Sequence, residues 1–237
     1  MSEVLNTIKE RRSLRVPFDP NRPISKENIM KILDAARWTP TGHNMQNFEI
    51  IVIDDKALIE RIGNLKSRVL EQFLIDNYEH LSFSVEELMH KKTGILSIGF
   101  PADWVDPNKF NQIANESPPI PLSDSIRGSP TLLMVLYDPR KKAPALTVDI
   151  YGFMSLGCLM ENIWLTAQAL RIGVQILSLS ATVSVEKELK QLLGIPEQLK
   201  IAYTIRLGYP IFQVKNLRVR RELDDFTHHN SFAKKGL

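Results

Sequence analysis

Cysteine is nearly missing from this chain. Cys158 stands alone among 237 residues, which excludes an internal disulfide framework and a multi-cysteine metal site. Long apolar runs are missing too, since no stretch approaches the roughly 18 uncharged apolar residues a membrane helix needs. The opening, MSEVLNTIKERRS, has no apolar core of secretory type, so a cytoplasmic location is expected. There is no Gly-x-Gly-x-x-Gly and no Walker loop, which removes the Rossmann and P-loop ways of holding a nucleotide. No Ser-His-Asp arrangement is visible. His228-His229 lack carboxylate or cysteine partners at ligand spacing, so no metal site is expected. Net charge is only +3, too small to announce a nucleic-acid binder.

What is present is ordinary globular material: 43% apolar and 24% charged residues, enough for a sizeable core. With no repeats, low-complexity tracts or linker, residues 1–237 read as a single α+β domain. Val4 to Glu10 is a short amphipathic helix. Ser25 caps a second helix, with Ile29, Ile32, Leu33 and Ala36 on one face, which stops before Pro40. Phe48 to Ile53 is β-rich, and Lys56 to about Leu81 reads as helical. Lys91 to Pro130, rich in proline and glycine, is irregular and is expected to be a lid or substrate loop. Thr131 to Tyr137 is a buried strand. Asp149 to Leu170 is the strongest helix, apolar on nearly every side, and must be covered by the core or by a partner subunit. Val174 to Leu179 is a strand, Ser184 opens a helix that closes at Gly194-Ile195-Pro196, and Ile201 to Leu207 is the last strand.

Charge is unevenly placed. Arg11, Arg12 and Arg15 cluster near the start, and Arg218, Arg220 and Arg221 near the end, a distribution that suits a small anion better than a long polyanion. Neither cluster carries the interleaved aromatics of a nucleic-acid surface. A non-enzymatic protein that binds nucleic acid stays open as an alternative, which steep salt dependence of RNA or DNA binding would favour.

Arg11 to Arg15, Pro40 to Phe48, Glu161 to Gly173 and Leu217 to Leu223, taken in that order, resemble the FMN-dependent nitroreductase family. The first is Arg11-Arg12-Ser13-Leu14-Arg15, similar to the family's Arg-Arg-Ser-x-Arg element that grips the flavin phosphate. Guanidinium forks match a phosphomonoester with charge-assisted hydrogen bonds, each worth roughly 1.5–3 kcal/mol. The second, Pro40-Thr41-Gly42-His43-Asn44-Met45-Gln46-Asn47-Phe48, resembles the Pro-Ser-x-x-Asn-x-Gln-Pro-Trp loop. In the family that loop comes from the neighbouring subunit and lies along the flavin ring and ribityl chain. It implies Pro40, Thr41, Gly42, Asn44 and Gln46 as cofactor contacts, since amides satisfy both donors and acceptors on the ring edge. The third, Glu161 to Gly173, looks like the family's central dimer helix. Arg171 stands there where a glycine is usual, and the following Ile176, Leu177, Ser178 and Leu179 are implied to lie against the ring. The fourth, Leu217 to Leu223, resembles the basic pair that closes over the phosphate, which implies Arg218 and Arg220. Residues two apart on an extended chain point the same way, so Arg221 faces elsewhere.

The resemblance implies a nitroreductase-like fold: a mixed, mainly antiparallel sheet flanked by helices, a long dimer-interface helix and an extended C-terminal arm. It further implies a homodimer with FMN at the subunit interface and no catalytic side chain. NADH or NADPH would deliver hydride to flavin N5 in a ping-pong cycle, and a nitroaromatic, quinone or similar small aromatic acceptor would be reduced. Dehalogenation, enoate reduction and flavin reduction on the same fold remain alternatives, as does a non-enzymatic protein that simply sequesters flavin.

Overall fold

The computed structural model describes residues 2–97, 101–122, 124–144, 147–212 and 217–235, with the side chains of Asp124, Ser125 and Leu179 left outside. Two compact units are distinguished: Met1–Ser67 with Pro121–Val214, and Arg68–Ile120 with Lys215–Leu237.

The first unit is built on one four-stranded antiparallel sheet. Along the chain come helix α1 (Glu3–Glu10), α2 (Lys26–Arg37), strand β1 (Phe48–Ile53), α3 (Lys56–Asn64), β2 (Thr131–Tyr137), α4 (Ile150–Ala169), β3 (Gly173–Leu177), α5 (Val183–Leu193) and β4 (Lys200–Gly208). The strand order is β1-β2-β4-β3. Phe48 pairs with Tyr137, Thr131 with Leu207, and Gly173 with Gly208, and a register shift lies between Val135 and Leu136. Strand β2 shows why the sheet is central. Its side chains alternate between two cores: Leu133 and Val135 join Ile32, Ala36, Leu159 and Ile163 from α2 and α4. Leu132, Met134 and Leu136 join Ile59, Ile62, Val185 and Leu189 from α3 and α5. Such a strand has no polar face, which is why the sequence shows an unbroken apolar run there.

Helix ends follow local chemistry. Ser2, Ser25, Asp55 and Asp149 each accept a backbone N–H of the first turn, which satisfies donors that otherwise have no partner. Gly194 closes α5 in the left-handed conformation at φ 65°. Helix α5 starts at Val183, one residue before the expected Ser184. Past α4, Arg171 adopts φ 57°, the conformation that glycine adopts most readily.

Two sequence expectations give way to long-range pairing. Helix does not continue from Lys56 to Leu81; α3 ends at Asn64, and Leu65 turns extended with φ −58° and ψ 141°. The Leu65 carbonyl accepts the Leu122 N–H at 2.8 Å, so tertiary pairing overrides helical propensity. Likewise β3 ends at Leu177 rather than Leu179, and the chain turns through Leu179–Ala181. There the Thr204 hydroxyl donates to Ser180 Oγ at 2.8 Å, drawing the chain out of the ladder.

The second unit holds helices Glu71–Asp76, Val85–Lys91 and Phe110–Glu116, with Ser82–Phe83 pairing in parallel with Ile95–Leu96. Ser84 and Glu87 form a reciprocal N-terminal cap on Val85–Lys91. Edge-on aromatic pairs Phe73–Trp104 and Tyr78–Phe110 tie the helices together. Residues 91–130 are thus only partly irregular; residues 98–100 and 123 of that stretch lie outside those described.

Candidate functional site

Residues 11–18 run beside β3, one of the two outermost strands of the sheet, and are clasped at three points. On the α4 face, Trp164 Nε1–H donates to the Arg12 carbonyl at 3.2 Å. The Arg11 guanidinium lies 4.1 Å over the same indole ring. Arg11 Nε is also 3.2 Å from Glu161 Oε1, an ion pair without a directed hydrogen bond. At the strand itself, Ser13 bridges Val174 in parallel and Leu14 N–H donates to the Val174 carbonyl at 2.8 Å. On the opposite face, Arg206 Nη2 donates to the Val16 carbonyl at 2.6 Å and its guanidinium lies 3.9 Å over Phe18.

This clasp leaves chemistry to spare. Glu161 occupies part of Arg11, but Arg12 and Arg15 form no ion pair among the described residues, Arg12 half-buried and Arg15 exposed. Two unneutralised guanidinium groups and the Ser13 hydroxyl on one fixed segment fit a phosphomonoester.

The loop at Pro40–Asn47 is built differently. His43, Asn44 and Gln46 all have positive φ, at 52°, 54° and 44°. Asparagine and histidine visit that conformation more readily than most residues, at a cost for any side chain, and glutamine is strained by it. Gly42 N–H donates to Ser155 Oγ at 3.1 Å, and Ser155 Oγ donates to the Tyr151 carbonyl at 2.6 Å. A Cβ on Gly42 would sit 2.7 Å from Tyr151 Cβ, so only glycine permits this close approach. At the root of the loop, Asn162 Nδ2 donates to the Ala35 carbonyl at 3.2 Å and lies 3.3 Å from Thr39 Oγ1. The Asn44 and Gln46 amides are exposed and bonded to each other at 3.2 Å, with Pro40 exposed and Thr41 half-buried. At the far end, Asp138 N–H donates to the Asn47 carbonyl at 2.9 Å. The Arg140 guanidinium holds the Asp138 carboxyl down to about 2.

Both pieces pack on α4, but on opposite sides. Ser155 and Trp164 are nine positions apart, and at about 100° per residue that separation places them roughly half a turn from each other. The arginine segment and the loop of one chain therefore face different ways. Around the first half of α4, Ile150, Tyr151, Phe153 and Met154 are exposed, Met154 to 58%, and open space surrounds Gly157.

Ile176 and Leu177 are half-buried on β3 and Ser178 is exposed just beyond it, while the Leu179 side chain lies outside the described residues. Arg218 and Arg220 belong to the second unit. There Arg220 Nη1 donates to the Val219 carbonyl and Arg221 packs over Phe226. Sequence reasoning assigned no role to Glu161, Trp164, Ser155 or Arg206. The only written signal was a lone arginine between Ile205 and Leu207 in an apolar strand. Among the described residues, no group of three or more His, Cys, Asp or Glu is placed to hold a metal, and no helix is long and apolar enough to cross a membrane.

The chain is similar to known proteins in sequence and in fold. The Nitroreductase family matches residues 8–209. A protein of Archaeoglobus fulgidus, whose name proposes an NADH dehydrogenase/NAD(P)H nitroreductase, is 26% identical over 210 residues, spanning 89% of this chain and 87% of that one. An FMN-dependent nitroreductase of Clostridium difficile superposes with a TM-score of 0.60 at 18% identity, over 96% of this chain and 99% of that one. A Bacteroides fragilis nitroreductase solved with bound FMN gives 0.58 at 20% identity, over 94% and 97%. At these identities the solved structures establish the fold.

Proposed function

The chain belongs to the nitroreductase family, and from that membership we propose that it is an FMN-dependent oxidoreductase drawing electrons from NADH or NADPH. The observation that carries the reading is the clasped arginine segment. Arg12, Ser13 and Arg15 offer charge and a hydroxyl on a backbone fixed by Trp164, Val174 and Arg206, and they would hold the FMN phosphate. When bound, FMN supplies the hydride-accepting N5 that passes reducing equivalents to a flat, electron-poor acceptor such as a nitroarene or quinone. The protein's part is to bind, orient and exclude water. The backbone from Ile176 to Leu179 would face the ring, and an arginine at the N1/O2 edge would favour the reduced, anionic form.

The working unit is proposed to be a homodimer, acting in the cytoplasm. Ile150, Tyr151, Phe153 and Met154 on α4 are left exposed by the described residues. A second copy packing there would also bring its own Pro40, Thr41, Gly42, Asn44 and Gln46 to the arginine side, which the opposite-face geometry of α4 denies to a single chain. By the sequence resemblance Arg218 and Arg220 would join the phosphate contacts, and the proline- and glycine-rich composition of residues 91–130 supports a part in shaping the acceptor pocket.

The test is an absorption spectrum of purified protein, followed by anaerobic titration with NADH and NADPH. Flavin bands that bleach with a nicotinamide and return on adding a nitroarene or quinone are expected. Colourless protein that also fails to bind added FMN overturns the reading.

A further inference from the structure

We infer that Arg206 is a positioning residue: it holds the segment that follows Arg15 in the register needed to present Arg12, Ser13 and Arg15 to a phosphate. The inference deepens the FMN reading and rests on it.

Arg206 is among the largest fully buried side chains of the described residues, at 0% exposure, inside the apolar strand β4. It forms no ion pair among the described residues, and its Nε has no hydrogen-bond partner. Burial without a counter-charge pushes its pKa down to about 10, so it remains a cation at neutral pH. Sequestering an unpaired guanidinium is costly, and an apolar side chain of similar volume is commonly as stable or more so at such a place. Core stability is therefore a poor account of this residue.

Its partners supply a better one. Nη2 donates to the Val16 carbonyl at 2.6 Å, Nη1 donates to Gln175 Oε1 at 3.0 Å, and the guanidinium plane lies 3.9 Å over the Phe18 ring. Two of these three groups lie on the segment just after Arg15, and the third lies on β3, opposite Arg206 in the ladder. One rigid fork thus joins the arginine segment to the strand that ends at Leu177. A lysine could reach one of those acceptors but could not span both in a fixed plane. The aim of Arg12 and Arg15 is set by a residue that touches no ligand.

The test compares FMN with riboflavin, which has the same ring but no phosphate, by fluorescence titration of the apoprotein. In Arg206→Met, FMN affinity is expected to fall about tenfold through lost pre-organisation, with riboflavin affinity unchanged. Arg206→Lys should fall between, losing about threefold on FMN. If both flavins weaken equally, or neither changes, in variants that still unfold cooperatively, the inference is wrong. Should Arg206→Met fail to fold, Arg206→Lys and Gln175→Met decide by the same criterion. Wild-type protein that binds neither flavin overturns the FMN reading and this inference together. Wild-type that prefers FMN, with variants losing equally on both flavins, overturns this inference alone.

Discussion

The arginine segment and the Pro40–Asn47 loop are two ways of preparing a chain for a ligand. Residues 11–18 have no regular structure of their own, yet Trp164, Val174 and Arg206 fix their backbone from both faces of the sheet and along one of its outermost strands. The loop is held at Gly42 by one hydrogen bond to Ser155 and carries three side-chain-bearing residues at positive φ. In one case order is lent by a rigid framework, so binding an anion needs little further ordering. In the other, strain is retained in a segment whose partner is proposed to be a second protomer, and functional loops commonly keep strain of this sort.

The largest test of this contrast is Arg12→Ala. If the segment is pre-organised for phosphate, losing one charge-assisted contact of roughly 1.5–3 kcal/mol weakens FMN about 10- to 150-fold. Equilibrium titration measures this, and an unchanged affinity would remove the phosphate assignment. Trp164→Phe is subtler. It keeps a ring under Arg11 and deletes the N–H that reaches the Arg12 carbonyl, a bond worth about 1 kcal/mol, so FMN should weaken roughly fivefold. An effect on stability alone would mean that the clasp supports the fold and not the ligand. The smallest effect is expected in the loop. His43→Gly relieves a left-handed residue and should raise stability by about 1 kcal/mol in urea denaturation, with FMN affinity slightly reduced. Lower stability in this variant would show that the loop is not strained there.

The sequence disclosed those features whose physics is local. Ser25 caps its helix from an adjacent position, and the unbroken apolar run of β2 announces a strand buried on both faces. Arg171, standing where glycine is usual, does adopt a left-handed backbone. Features set by distant partners were not legible. The break after Asn64 depends on Leu122, the early end of β3 on Thr204, and the clasp on Trp164 and Arg206, residues far from the segment they hold. Nothing local distinguishes a clamping tryptophan from a core one.

The pairing of Ser13 and Leu14 with Val174 also bears on solubility. An unpaired border strand invites strands of other molecules to add to it, the usual beginning of aggregation. By lying along β3, the segment proposed to hold the phosphate shields part of that border, so on that proposal a chain in which it came loose would lose its ligand and become self-adhesive in the same event.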